Sequence, residues 1–135
     1  MAERGVRRVG GRVMRHAVRQ GARVRDRAVW SWEGWVHVWR TEGSLHQWLW
    51  ANLASGGLAV VLPISGGERA AILMGGLVVL AMECMNTAIE RVVDDVGEER
   101  RDRAKQAKDA GSAAVAVAAV AVGVAWVAAL LRLAL

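Results

Sequence analysis

Between Glu83 and Asp94 the chain carries three carboxylates, an amide and a hydroxyl at spacings that a helix would gather into one stripe. The segment reads Glu83-Cys84-Met85-Asn86-Thr87-Ala88-Ile89-Glu90-Arg91-Val92-Val93-Asp94. At a helical turn per 3.6 residues, Glu83, Asn86, Thr87, Glu90 and Asp94 fall within an arc of about 100°. The stripe follows an apolar run from Ala70 to Met82. A carboxylate placed in hydrocarbon costs on the order of 2.5–3.5 kcal/mol on insertion scales. A stripe of this kind on a membrane helix therefore marks a metal, phosphate or proton site facing a bundle. The alternative is a helix that leaves the bilayer near Glu83 and carries the stripe on a solvated surface.

Clustered carboxylates suit a divalent cation, most naturally Mg²⁺ held together with nucleotide phosphates, which uses one or two protein carboxylates and leaves another free as a base. Lys105 and Lys108, with Arg100, Arg101 and Arg103 nearby, supply charge that would offset phosphate. Neither a Walker A pattern nor a protein-kinase catalytic loop is present. His16, His37 and His46 lack metal-site spacing. They read as interfacial polar residues.

The elements that must position these groups read as membrane helices. The 135 residues suffice for one domain. There are seven Trp and no Phe or Tyr, and six of the Trp lie from Trp30 to Trp50, which matches an interfacial belt beside apolar runs. Three spans are expected, at about 48–64, 70–93 and 111–133. The first is short, carries Asn52, Ser55, Gly56 and Gly57, and ends near Pro63; Gly66 and Gly67 are expected to make the turn to the second. Residues 95–109 form a charged connector, helical or looped, with balanced charge. Small residues crowd the third span (Ala113, Ala114, Ala116, Ala118, Ala119, Ala121, Gly123), which permits close helix approach and a homo-oligomer. Cys84, the single cysteine, reads as a small buried hydrophobe.

Ahead of the spans, residues from about 23 to 42 read as an amphipathic surface helix, with Trp32, Trp35, Val36 and Trp39 on its apolar side. Residues 1–22 form a basic, glycine-interrupted arm suited to anionic lipid rather than nucleic acid. No signal-peptide core precedes the spans, so these are expected to direct insertion themselves. The excess of arginine puts the N-terminus on the cytoplasmic side and the Ser65–Arg69 turn outside. The expected class is an all-α integral membrane protein with an N-terminal surface helix and three transmembrane helices.

Two separated blocks then carry a resemblance. Glu83-x-x-Asn86-Thr87-Ala88-Ile89-Glu90-x-x-Val93-Asp94, with Ala107-Lys108-Asp109 and Ala113-Ala114-Val115 after it, resembles the prokaryotic diacylglycerol kinase family, which includes undecaprenol kinases. Ser31-Trp32-Glu33-Gly34 and Trp39-Arg40-Thr41-Glu42 agree with it, and the likeness runs from Arg23 to Leu131. It implies a homotrimeric inner-membrane enzyme that moves the γ-phosphate of Mg-ATP to a lipid hydroxyl. By that resemblance Glu83 is the general base, supported by Asn86 and Asp94. Glu42 and Glu90 hold Mg²⁺. Arg23, Trp30, Glu42, Glu90, Glu99, Arg100, Arg101, Lys108 and Asp109 contact ATP. Glu83, Trp39 and Ser112 meet the lipid. Relatives carry Tyr-His where this chain has Arg100-Arg101, so its adenine contacts depart from theirs. The Trp39–Glu42 block leans toward the undecaprenol branch. The rival functions are ion or proton transport through Glu83 and Asn86, and a noncatalytic anchor or nucleic-acid tether built on the basic arm.

Overall fold

The computed structural model describes residues 23–97, 99 and 101–135. The basic arm 1–22 and Arg100 lie outside the described residues. All the regular structure described is helical: α1 at residues 23–41, α2 at Gly43–Val61, α3 at Gly66–Val96 and α4 at Asp102–Ala134. The described residues fall into two units, those up to His37 and those from Val38 to Leu135. In the first, the described residues are helical, with Trp30 and Trp32 exposed and the Ser31 hydroxyl donating to the Arg27 carbonyl at 2.9 Å.

In the second unit α3 is the central helix and packs against both α2 and α4. Toward one end of α3, Ile72 closes on Ala59 and Ala129, with Trp126 and Val122 alongside. Further along, Val79 meets Val115 and Ala118, with Trp48 and Met82 at the edge. Of the small residues expected to pack closely in α4, Ala118 is buried and Ala119 half-buried, while Ala113, Ala114, Ala116, Ala121 and Gly123 are exposed. Ala129 is buried as well, whereas Val117, Val120, Val124 and Val127 remain exposed to lipid or to other protein. The Trp126 indole N–H donates to the Ser55 hydroxyl at 2.8 Å and joins α4 to α2, which satisfies a polar pair among apolar neighbours.

Two helices, α3 and α4, are long and apolar enough to cross a membrane. Both exceed the expected spans, because the connector is mostly helix: only residues 97–101 separate α3 from α4. Gly97 stands at that break with φ 156° and ψ 141°, a conformation open to glycine and strained for other residues. The turn between α2 and α3 also differs from expectation. Gly66 and Gly67 begin α3 rather than making the turn, because Ser65 caps the helix. The Ser65 hydroxyl accepts from the Glu68 N–H at 3.2 Å, and the Ser65 N–H donates to Glu68 Oε2 at 2.7 Å. This reciprocal capping box fixes where α3 starts.

Arg69 then reaches back to α2, donating to the Ala59 carbonyl at 2.8 Å and the Leu62 carbonyl at 3.3 Å. These carbonyls would otherwise be unpaired at the helix end. Arg132, at the end of α4, grips Glu68 through two hydrogen bonds of 2.7 and 2.9 Å. This end of the bundle is therefore tied by polar contacts, and the opposite end is left to form a cleft.

Candidate functional site

Glu83 sits on α3 with only 5 % of its surface exposed, although its helix is otherwise apolar for several turns. It lines a cleft of about 520 Å³ with Asn86 and Glu90 of α3, Ser44 and Trp48 of α2, and Ser112, Val115, Ala116 and Ala119 of α4. The part of the helical stripe from Glu83 to Glu90 is thus turned inward, between α2 and α4. Thr87, on the same stripe, is buried as well, at 3 % exposure.

Within the cleft the Asn86 amide N–H donates to Glu90 Oε1 at 3.0 Å. Its carbonyl Oδ1 is buried and has no hydrogen-bond partner. That arrangement is costly unless something else arrives to satisfy the oxygen. Gly111 makes it possible: a Cβ there would collide with Asn86 Oδ1, so glycine lets α4 close on the amide. An orphaned carbonyl oxygen beside Glu83 and Glu90 is an all-oxygen donor set of the kind hard divalent cations take. Among the described residues no three His, Cys, Asp or Glu side chains converge as a protein-only metal cage. Mg²⁺ that keeps phosphate oxygens in its shell needs only one or two protein carboxylates.

The remaining candidates gather at a second cleft, of about 280 Å³, at the α3–α4 connector. Asp94, Glu99, Arg101, Lys105, Lys108 and Asp109 line it, with Val93, Gly97 and Ala104. Lys108 Nζ donates to Asp94 Oδ1 at 2.6 Å, and Lys105 Nζ to Asp109 Oδ2 at 2.5 Å. The Arg101 guanidinium donates to the Val93 carbonyl at 3.4 Å and the Gly97 carbonyl at 3.3 Å, and so covers the end of α3. Both lysines are paired with acids on a half-open surface. The cleft offers exchangeable cations to an incoming polyanion at little cost, since exposed pairs are worth about 0–1 kcal/mol. Asp94 therefore lies on a different cleft from Glu83, although both belong to one stripe of α3.

Glu42 stands at the break between α1 and α2 and accepts from Arg91 Nη2 at 2.9 Å. The same guanidinium nitrogen also donates to the Thr41 hydroxyl. Trp39 meets the His46 ring edge-on, with centroids 4.2 Å apart. Arg23 and Trp30 belong to the first unit, and Trp30 is exposed on its helix. The sequence reading did not find Ser44, Trp48 or Arg91 as site residues. Trp48 reads from sequence only as the start of the first span, and Ser44 falls in the gap between that span and the surface helix. Arg91 pairs with a residue 49 positions away, so no local spacing announces it.

A helical membrane bundle with a carboxylate-lined cleft beside one lined by three exchangeable cations and three acids has the parts that phosphoryl transfer at a membrane surface requires: a base, oxygen ligands and charge to offset phosphate. The comparisons agree. Residues 29–130 match the family described as prokaryotic diacylglycerol kinase. Over 109 residues the chain is 37 % identical to a diacylglycerol kinase of Pseudomonas aeruginosa, covering 81 % of this chain and 89 % of that one. The chain belongs to the prokaryotic diacylglycerol kinase family. It is a membrane-bound lipid kinase, a phosphotransferase that uses ATP and a lipid acceptor.

Proposed function

We propose that this kinase transfers the γ-phosphate of ATP to the free hydroxyl of diacylglycerol at the cytoplasmic face of the inner membrane. The single observation that carries the reading is Glu83, a buried carboxylate on an apolar helix, opening into a cleft that it shares with Asn86, Glu90 and Ser112. The relative's name supports diacylglycerol as the acceptor over undecaprenol. Glu83 takes the hydroxyl proton as the lipid oxygen bonds to the γ-phosphorus. The bond from that phosphorus to the β–γ bridging oxygen breaks, and ADP leaves with the electron pair.

Glu90 and Glu42 would hold Mg²⁺, with Asn86 Oδ1 as an accessory oxygen. The ion supplies charge neutralisation on the phosphates when bound. Asp94, Glu99, Arg101, Lys108 and Asp109 bind the rest of the nucleotide, as their shared cleft supports. Arg23, Trp30 and Arg100 are assigned to ATP by the resemblance alone. Ser112 and Trp39 flank the lipid. The recess of about 110 Å³ lined by Trp48, Asn52, Ser55 and Val122 shares Trp48 with the main cleft and offers room to hydrocarbon next to the base.

The domain 23–135 is placed as a homotrimer with α2, α3 and α4 all spanning and α1 on the surface. The N-terminus is cytoplasmic, and the arm 1–22 adheres to anionic lipid. The exposed valines of α4 are the kind of surface that lipid or a second copy would cover. The test is transfer of labelled γ-phosphate by the purified protein to diacylglycerol and to undecaprenol in separate micelles, with Mg²⁺ present or chelated. Label on diacylglycerol, lost on chelation, is expected. Label on undecaprenol alone would move the acceptor to the other branch.

A further inference from the structure

Arg91 is not among the residues that the resemblance places at the site, yet it makes the contact that fixes one of them. Its guanidinium Nη2 lies 2.9 Å from Glu42 Oε1 and also holds the Thr41 hydroxyl. Glu42 has extended backbone (φ −113°, ψ 109°) in the one-residue break between α1 and α2, and its own side chain does not cap α2. In that break the carboxylate is held by Arg91 at 2.9 Å and, more weakly, by the Thr41 hydroxyl, which donates to Glu42 Oε1 at 3.5 Å. Arg91 in turn is the immediate neighbour of Glu90, whose carboxylate lines the cleft. The pair is only partly shielded, with side-chain exposures of 36 % and 27 %, so it stays open to exchange with a stronger partner.

We propose that Arg91 is a phosphate-binding residue of the nucleotide site, held on Glu42 until nucleotide arrives. The proposal rests on the reading of Glu42 as a ligand of the nucleotide-bound cation. If Glu42 turns to that cation, a guanidinium 2.9 Å from its carboxylate is within contact range of the phosphates the cation chelates. The exchange is balanced in charge. One internal ion pair is replaced by Glu42 with the cation and Arg91 with phosphate, and neither group is left unpaired near the membrane. Planar, bidentate guanidinium is well matched to phosphate oxygens. Lys105 and Lys108 line the connector cleft, which Arg91 does not, so Arg91, beside Glu42 at the start of α2, adds a cation at a place they do not reach.

The experiment is equilibrium binding of a non-hydrolysable ATP analogue, with and without Mg²⁺, to full-length Arg91→Ala, Arg91→Lys and Glu42→Gln proteins. Steady-state kinetics are measured alongside. Losing a charge-assisted hydrogen bond to phosphate corresponds to about tenfold in affinity. Arg91→Ala is expected to weaken the analogue about tenfold with Mg²⁺ and by less without it, when Glu42 still holds the guanidinium, and to raise KM for ATP with KM for lipid unchanged. Arg91→Lys should recover part of the loss. Glu42→Gln should remove the enhancement that Mg²⁺ gives and leave metal-free binding no weaker. Wild-type analogue affinity in an Arg91→Ala protein of normal helicity and oligomeric size would overturn the proposal. So would a loss that appears equally in KM for lipid, which would mean a merely structural role. Weakened binding in Arg91→Ala beside an unaltered Mg²⁺ response in Glu42→Gln would keep Arg91 on phosphate and remove Glu42 from the metal.

Discussion

Asn86 and Gly111 meet where α3 and α4 cross, with the Asn86 carbonyl oxygen packed so closely over the glycine that no side chain fits between them. The contact aims the Asn86 amide at Glu90 and leaves its oxygen buried in the cleft without a partner. A stabilising contact and a functional one are thus set against each other at a single position.

The Gly111→Ala substitution separates them. Gly111 lies inside α4, where alanine is favoured over glycine by about 0.8–1 kcal/mol. The new Cβ would strike Asn86 Oδ1, the mobile end of a side chain, so the amide swings and the helices keep their places. Thermal stability in detergent is expected to change by no more than about 1 kcal/mol. Phosphoryl transfer should fall by about 10- to 100-fold, because a displacement of about 1 Å in a positioned group costs on that order. A fully active Gly111→Ala enzyme would mean that Asn86 has no part in the reaction.

Glu83 is the residue whose removal tests the base assignment. Glu83→Gln keeps the shape and the hydrogen-bonding capacity and deletes the proton acceptor. General-base help contributes about 10²–10⁴ in rate, so kcat should drop by that amount. The affinity for a non-hydrolysable ATP analogue and the oligomeric size should be retained. Because a buried carboxyl on an apolar helix is replaced by an amide of the same shape, the variant should be at least as heat-stable as the parent. A kcat within a factor of about three of wild type would take the role from Glu83.

The stripe of α3 was legible because its cause is local: a period of 3.6 residues puts Glu83, Asn86 and Glu90 on one face whatever they pack against. Its division into two clefts was not. Asp94 shares the stripe with Glu83 but is drawn to Lys108 across the connector, and only the α3–α4 crossing decides that. The start of α3 differs from the sequence reading for another reason. Gly66-Gly67 looked like a turn by composition, while the Ser65-x-x-Glu68 capping signature beside it, equally visible, sets the start of α3. Ser44, Trp48 and Arg91 depended on contacts between distant segments, which one sequence does not display.

Lys108 predicts a selective defect. Its ion pair with Asp94, at 2.6 Å, is half exposed, so its loss should change stability by less than about 1 kcal/mol. The cation itself faces the connector cleft with Arg101 and Lys105. Lys108→Ala is expected to raise KM for ATP about tenfold, the equivalent of one charge-assisted contact, with KM for the lipid unchanged. Titration of both substrates checks this. An equal rise in both constants would place Lys108 outside the nucleotide subsite.

Glu68 gives the chain an acid-sensitive point at the far end of the bundle. It lies in the polar turn ahead of the apolar stretch of α3. The Arg132 guanidinium, then the Ser65 amide and hydroxyl, hold its carboxyl down at about 2, below the ordinary value of 4.5. A carboxyl whose folded-state value is depressed contributes stability that is fully present above its unfolded value and is lost as the pH falls toward the folded one. The contribution should therefore be intact above pH 4.5 and disappear between 4.5 and about 2. Unfolding temperatures in detergent should fall over that interval by more in the wild type than in Glu68→Gln, which lacks the titrating group. Above pH 4.5 the variant should be uniformly less stable, with the γ-phosphate transfer rate little altered because Glu83 and its cleft lie several turns away along α3. Parallel pH profiles for the two proteins would show that the Glu68–Arg132 pair contributes nothing to holding α3 against α4.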